Sequence, residues 1–199
     1  MNLPANEGVD EGVDEGANEG ANEGANEGAT GSAPVATGEL VDVVDVHDQV
    51  IDTVARLVMR AHRLCHRAVF IAVRHPDGGL LIHQRSFDKD LWPGQWDIAV
   101  GGVVTAGEPY DDAARRELAE EIGLVGTEPV RIGGGAYDDP DVSLIGRCYT
   151  ITAAGPFEFA DGEVVAAEWV QMSELDALVR DRAFLPDSLA LLLPLLSES

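Results

Sequence analysis

Apolar and polar residues alternate in short runs along most of the chain, and this rhythm sets the expected elements. In residues 39–54, Leu40, Val41, Val43 and Val44 are β-formers, His47, Asp48 and Gln49 supply a polar turn, and Val50 with Ile51 resumes the run, which predicts a hairpin. Residues 55–64 place Leu57, Val58, Ala61 and Leu64 at helical spacing with arginines on the opposite side, as in a short amphipathic helix. A β-branched run over 68–74 is interrupted by His75-Pro76-Asp77-Gly78-Gly79 and resumed over 80–84, a second hairpin. A Trp-Pro-Gly-Gln-Trp loop at 92–96 leads to a strand over 97–100. Pro109 then opens a helix over 110–122, which Gly123 ends.

Strands are expected again over 130–135, 143–152 and 164–171. Ser173 is expected to open a helix, with Asp176 in an approximate capping arrangement and Leu175, Leu178 and Val179 on the apolar face. A closing helix is expected over 186–196. Strands around one central helix and flanked by another predict an α/β sandwich.

The first 38 residues break the rhythm. From Asn6 to Ala29 the chain repeats Asn/Asp-Glu-Gly-Val/Ala six times, and a Gly/Ser/Ala/Pro stretch follows. Glycine at every fourth place raises the entropy cost of ordering, and valine or alanine alone buries too little to offset it, so residues 1–38 are expected to form a disordered acidic tail. Residues 39–199 are then one domain, a length sufficient for a real core at 45% hydrophobic content.

Charge narrows the function. The net charge is −23, and only eight of the acids lie in the tail, so the domain is acidic in its own right. An acidic surface without a dense Lys/Arg patch argues against nucleic-acid binding, whereas a small phosphorylated substrate stays compatible if cations bridge the two negative partners. The most apolar window, 189–196, is short and broken by Pro194, which excludes a spanning helix; with no basic leader, a cytoplasmic protein is expected. Cys65 and Cys148 are isolated and read as ordinary thiols.

Chemistry concentrates between Gly102 and Leu124. On a helix, Glu117 lies three and four positions before Glu120 and Glu121, so the three carboxylates can share one face while Ala113, Leu118 and Ile122 face the core. Three clustered acids repel, and Mg²⁺ or Mn²⁺ with its preference for hard oxygen ligands would relieve that repulsion. Gly101 and Gly102 precede the loop, where backbone can approach a ligand closely.

The spacing Gly102-x5-Glu108-x7-Arg116-Glu117-Leu118-x-Glu120-Glu121-x-Gly123-Leu124 resembles the Nudix box at every one of its defined positions. That resemblance implies a Nudix-type α/β/α sandwich with a mixed sheet and a divalent-metal-dependent hydrolase of diphosphate linkages. It also implies that Glu117, Glu120 and Glu121 bind Mg²⁺ or Mn²⁺ with help from the Gly102 carbonyl, and that Glu108 and Arg116 brace the loop against the helix. Glu120 is the first candidate for the base that assists the attacking water, and Glu163, in the turn at 161–165, is the second.

His66 to Phe70, Gln84-Arg85-Ser86, Lys89 and Trp92-Pro93-Gly94 are similar to the branch of that superfamily containing isopentenyl-diphosphate isomerase and its hydrolase-like relatives. An isomerase of that branch carries a cysteine and a histidine where this chain has Gly101 and Val103, and segment 143–152 lacks the paired glutamates expected of one, so hydrolysis is favoured. A catalytically silent nucleotide-binding module is the other alternative. His66 is expected to be a structural hydrogen-bonding residue. Arg67, Arg85 and Lys89 are expected to grip substrate phosphates, and Phe87, Trp92 and Trp96 either stack on an organic group or pack locally. The substrate is expected to be a nucleoside-diphosphate-type or other small organic diphosphate. Oligomeric state is left open, a homodimer included.

Overall fold

The computed structural model describes residues 38–159 and 162–197; apart from Gly38, the expected tail lies outside them. The elements are β1 (Leu40–Val44), β2 (Val50–Ala55), α1 (Arg56–Ala61), β3 (His66–Arg74), β4 (Gly79–Arg85), β5 (Trp96–Asp97), β6 (Val100–Val103), α2 (Tyr110–Ile122), β7 (Val130–Asp138), β8 (Ser143–Thr152), β9 (Val164–Gln171), α3 (Met172–Asp181), α4 (Pro186–Leu191) and α5 (Leu193–Ser197). Both expected hairpins are present, and α2, β8 and β9 have the expected bounds.

β3 organises a mixed sheet. It runs parallel to β8 from His66↔Leu144 to Arg74↔Thr152, and antiparallel to β6 from Ala68↔Val103 to Ile71↔Val100. β4 pairs with β9 and β7 with β8, both antiparallel. Side chains of a strand alternate between faces, so β3 feeds two cores. Ala68, Phe70 and Ala72 pack with Leu175, Leu192 and Leu196 from α3, the residue after α4, and α5. Val69, Ile71 and Val73 pack with Ala113, Ala114, Leu118 and Ile122 of α2. Helices thus cover both faces, the expected α/β/α layering. Leu118 has no exposed surface, and its burial contributes about 2–3 kcal/mol.

Several boundaries differ from expectation: α1 ends at Ala61 rather than Leu64 and β3 starts at His66 rather than Ala68, and four further differences follow. The strand expected over 97–100 is two strands, because β5 pairs with β4 while β6 pairs with β3, and changing partners interrupts the ladder at Ile98 and Ala99. β7 continues three residues further, to Asp138, along β8. α3 starts earlier than Ser173: Gln171 is the cap and Glu174, not Asp176, accepts its N–H at 3.2 Å. The closing helix is two pieces, α4 and α5, separated at Leu192 two residues before Pro194, which has no N–H to continue the ladder.

Two features position the site. α1 buries Met59 against Val41 and Val103, which fixes the short helix and its arginines beside β6. Gly101 lies so close to β3 that a Cβ there would meet Val69 O at 2.0 Å, so only glycine allows β6 to pair where it does. No helix among the described residues is long and apolar enough to cross a membrane.

Candidate active site

α2 begins at Tyr110 after Pro109 and ends at Gly123, whose φ of 69° is the left-handed cap expected from the sequence. Its apolar stripe faces the sheet, so the adjoining edge turns Glu117 and Glu121, both buried, toward β6. Glu120, one position beyond that edge, stays largely exposed. All three line a cavity of about 670 Å³.

Arg116 joins the parts of this edge. Its Nε and Nη2 grip the two oxygens of Glu108, each at 3.0 Å, and Nη2 also donates to Val103 O at 3.2 Å. Nη1 donates to Glu117 Oε1 at 2.8 Å and Glu120 Oε2 at 3.0 Å. All five guanidinium N–H groups therefore have an acceptor, and the arginine pKa is raised, with the Glu108 bond the largest cause. Burial pushes Glu108 upward, but bonds from Arg116 and the Thr105 N–H outweigh it and hold the carboxyl below its ordinary range.

The deeper acids behave oppositely. Burial, then the Glu117 and Asp97 charges, pushes Glu121 well above the usual carboxylate range, with the Gly101 N–H at 3.3 Å pulling the other way. Glu117 is also raised by burial, although Arg116 offsets part of it. A Cβ on Gly102 would lie 2.6 Å from Glu117 Oε1, so glycine there makes the recess that the carboxylate occupies.

Among the described residues no three His, Cys, Asp or Glu side chains converge closely enough to hold an ion. The cause is visible: Arg116 Nη1 stands between Glu117 and Glu120, while Glu121 turns to Gly101. The donor set itself fits a hard divalent cation. Two desolvated carboxylates with raised pKa values sit beside a glycine recess, and the exposed Glu120 lines the same cavity.

The other expected residues separate into two groups. Arg85, Lys89 and Glu163 line the same cavity, with Lys89 ion-paired to Glu163. Arg67 is not part of the cavity wall. It lies beside Tyr110, and its Nε donates to Asp48 Oδ1 and Nη2 to Asp48 O, both at 2.6 Å. His66 is buried and its Nδ1 hydrogen-bonds Leu64 O at 3.0 Å; burial pushes its pKa down to about 4, so it is a neutral structural residue at neutral pH. Trp92 lines the cavity, whereas Trp96 packs on the core beneath Arg182, and Phe87 is exposed on Gly94.

Five further cavity residues carry charge that the sequence reading did not single out: Glu39 just before β1, Arg56 and Arg60 of α1, Asp97 of β5 and Asp187 of α4. The arginines were legible only as the polar side of a helix, and nothing in the sequence says that this side faces a cavity. Asp187 follows Pro186 as an ordinary first-turn acid would.

Fold and site together define a small α/β enzyme whose cavity is walled by carboxylates and guanidinium groups. The NUDIX domain family matches residues 65–192, and the chain belongs to that family. It is a hydrolase of pyrophosphate bonds. An uncharacterized Nudix hydrolase of Yersinia pestis is 37% identical over 156 residues, 78% of this chain and 85% of its own length. The uncharacterized Nudix hydrolase YfcD of Escherichia coli is 36% identical over 155 residues, again 78% and 85%. Among solved structures, DR0079 of Deinococcus radiodurans superposes with a TM-score of 0.67 at 27% identity, covering 80% of this chain and 98% of that one. The NUDIX domain of Shewanella oneidensis NrtR, crystallised with ADP ribose, shares the fold at a TM-score of 0.52 and 19% identity, over 66% of this chain and 86% of its own.

Proposed function

We propose that the chain is a Mg²⁺- or Mn²⁺-dependent hydrolase of a diphosphate linkage in a nucleoside-diphosphate-type or other small organic diphosphate. The observation that carries this reading is the shared cavity: the Glu117, Glu120 and Glu121 edge of α2 lines it together with Arg85 and Lys89. Glu117, Glu120 and Glu121 hold the cation, with the Gly102 carbonyl as a further oxygen. When bound, a divalent cation neutralises the diphosphate oxygens and makes water easier to deprotonate.

The chain's own residues do the rest. Arg85 and Lys89 bind and orient the phosphates as fixed positive groups. Glu108 and Arg116 keep the loop and helix in register, so that the carboxylates do not drift from the reacting phosphorus. Glu120 takes the proton from the attacking water; Glu163 is the second candidate, and its bond to Lys89 would first have to open.

The test is a panel of small diphosphates with Mg²⁺ and with Mn²⁺, scored by kcat/KM. Cation-dependent release of a monophosphate from at least one compound is expected. Stoichiometric binding of the same compounds without turnover would instead identify a silent binding module.

A further inference from the structure

The β1–β2 hairpin precedes residue 65, where the family match begins, yet it is fastened to the loop that carries Glu108. That loop, 104–109, joins β6 to α2. Val41 bridges to Thr105, Leu40 O accepts the Ala106 N–H at 2.9 Å, and Asp42 Oδ2 accepts the Gly107 N–H at 2.9 Å. The turn of the hairpin reaches α2 itself. Asp48 Oδ1 accepts the hydroxyl of Tyr110, the first residue of α2, at 3.1 Å, and Arg67 Nε donates to the same oxygen at 2.6 Å. Arg147 Cζ lies 3.8 Å from the centre of the Tyr110 ring.

Asp42 is out of place as a strand residue. It is 8% exposed, and its neighbours Val41 and Val43 are buried and apolar. A carboxylate is costly there unless it is bonded, and its bonds go to Thr53 Oγ1 at 2.8 Å within the hairpin and to Gly107 across to the loop. From Gly107 the contacts run on without a gap. The next residue, Glu108, accepts from the Thr105 N–H and from Nε and Nη2 of Arg116, and Arg116 Nη1 donates to Glu117 and Glu120. A buried acid outside the cavity is thus tied, through one loop residue and one arginine, to two of the acids on the α2 edge.

We propose that Asp42 and Asp48 are positioning residues: from the hairpin they fix the loop before α2 and the first residue of α2, so that Glu108 meets Arg116 where that arginine can hold Glu117 and Glu120. Arg67, expected from the sequence to meet substrate, serves this support instead by holding Asp48. The inference rests on the metal-dependent hydrolase reading, which gives those acids their task. Groups that orient a cation's ligands matter at a distance, because their loss costs about 10–100-fold in metal affinity.

The test uses the full chain and two measurements: exchange of the Arg116 Nε proton with water, followed by proton–nitrogen NMR without cation, and Mn²⁺ affinity by electron paramagnetic resonance. Asp42→Ala removes the acceptor of the Gly107 N–H. It is expected to speed that exchange about five-fold or more and to weaken Mn²⁺ binding about ten-fold. Asp42→Asn keeps an oxygen for Gly107 and is expected to restore both to within about three-fold of the wild type, a rescue that a general loosening of the hairpin would not show. Tyr110→Phe loses only the hydroxyl that meets Asp48, and is expected to shift both measurements in the same direction even if the alanine variant fails to fold. In a Glu108→Gln background, Asp42→Ala should weaken Mn²⁺ binding by less than about three-fold more, because residues acting through one another are not additive. An Arg116 proton unmoved in Asp42→Ala and Tyr110→Phe, or losses that multiply in the double variant, would overturn the proposal. A wild type that bound no Mn²⁺ would count against the hydrolase reading, whereas the Arg116 proton would still decide the role of the hairpin.

Discussion

Arg116 Nη1 donates to Glu120 Oε2 at 3.0 Å, one helical turn away, so the guanidinium occupies the place where a cation would meet that carboxylate. On the proposed reading, cation binding would exchange one positive partner of Glu120 for another, while the two-point grip of Arg116 on Glu108 could persist. Glu120→Gln keeps an oxygen for Arg116 and changes only an exposed side chain, so stability should move by less than about 0.5 kcal/mol. Cation-dependent turnover should fall on the order of 10²–10³-fold, as for loss of one charge-stabilising group. Steady-state kinetics beside a urea melt checks both, and unchanged turnover would remove Glu120 from the set.

Glu121 should behave differently because it is buried and its carboxyl is pushed well above the usual range. A folded state that resists ionisation of this acid is destabilised at high pH, and Glu121→Gln removes that cost while keeping an oxygen for the Gly101 N–H. At pH 8 without cations the variant should be more stable by about 1–3 kcal/mol, yet nearly inactive. Mn²⁺ should raise the Tm of the wild type and leave the variant unmoved, because only a state that binds the ion is stabilised by it. A less stable Glu121→Gln protein would mean that the charge is compensated in the native cavity.

The contrast between these two acids explains what the sequence could convey. Local spacing placed Glu117, Glu120 and Glu121 on one helix edge and gave α2 its ends, because helix geometry and the Gly123 cap are properties of neighbouring residues. Strand alternation was equally legible in β3, but it does not decide which side chains reach the cavity: Val69 lines it, while Arg67 on the same face is held by Asp48. Arg60 and Asp187 were not legible, because they are brought together by the packing of α1 on β1 and by the return of the chain into α4. Contacts between distant segments leave no period in the sequence, and neither residue belongs to a motif.

Asp187 and His66 should make opposing contributions to the pH dependence of stability. Burial, then the Asp97 charge, pushes Asp187 up to about 7, with Arg85 pulling the other way. Its contribution is thus complete below an ordinary aspartate pKa and is lost as the pH rises through about 7. Burial, against the Leu64 bond and with Arg60 and Arg56 nearby, pushes His66 down to about 4, so its contribution is present above about 6.5 and is lost as the pH falls toward 4. Between about pH 4 and 6.5 the two slopes cancel, each being about 1.4 kcal/mol per pH unit at most. Asp187→Asn removes one of them, and its stability should climb with pH across this window more steeply than that of the wild type by about 1 kcal/mol per unit. Urea melts at half-unit steps measure this, and parallel curves would show that Asp187 titrates normally.

Adjacent glycines of β6 should separate fold from site. A methyl at Gly101 meets the backbone oxygen of Val69 at 2.0 Å, and the β3–β6 ladder leaves that oxygen no room to retreat. Gly101→Ala should therefore cost about 3 kcal/mol or more, with β6 displaced from β3. The same methyl at Gly102 meets Glu117 Oε1 at 2.6 Å, the far end of a side chain that can rotate. Gly102→Ala should cost less than about 1.5 kcal/mol and act mainly on Glu117, lowering cation affinity about 10–100-fold as loss of a ligand's support does. Denaturant melts give the first ranking and Mn²⁺ titration by electron paramagnetic resonance the second. If Gly102→Ala lost as much stability as Gly101→Ala while still binding Mn²⁺ normally, the recess would be a packing feature and Glu117 would have no part in holding the ion.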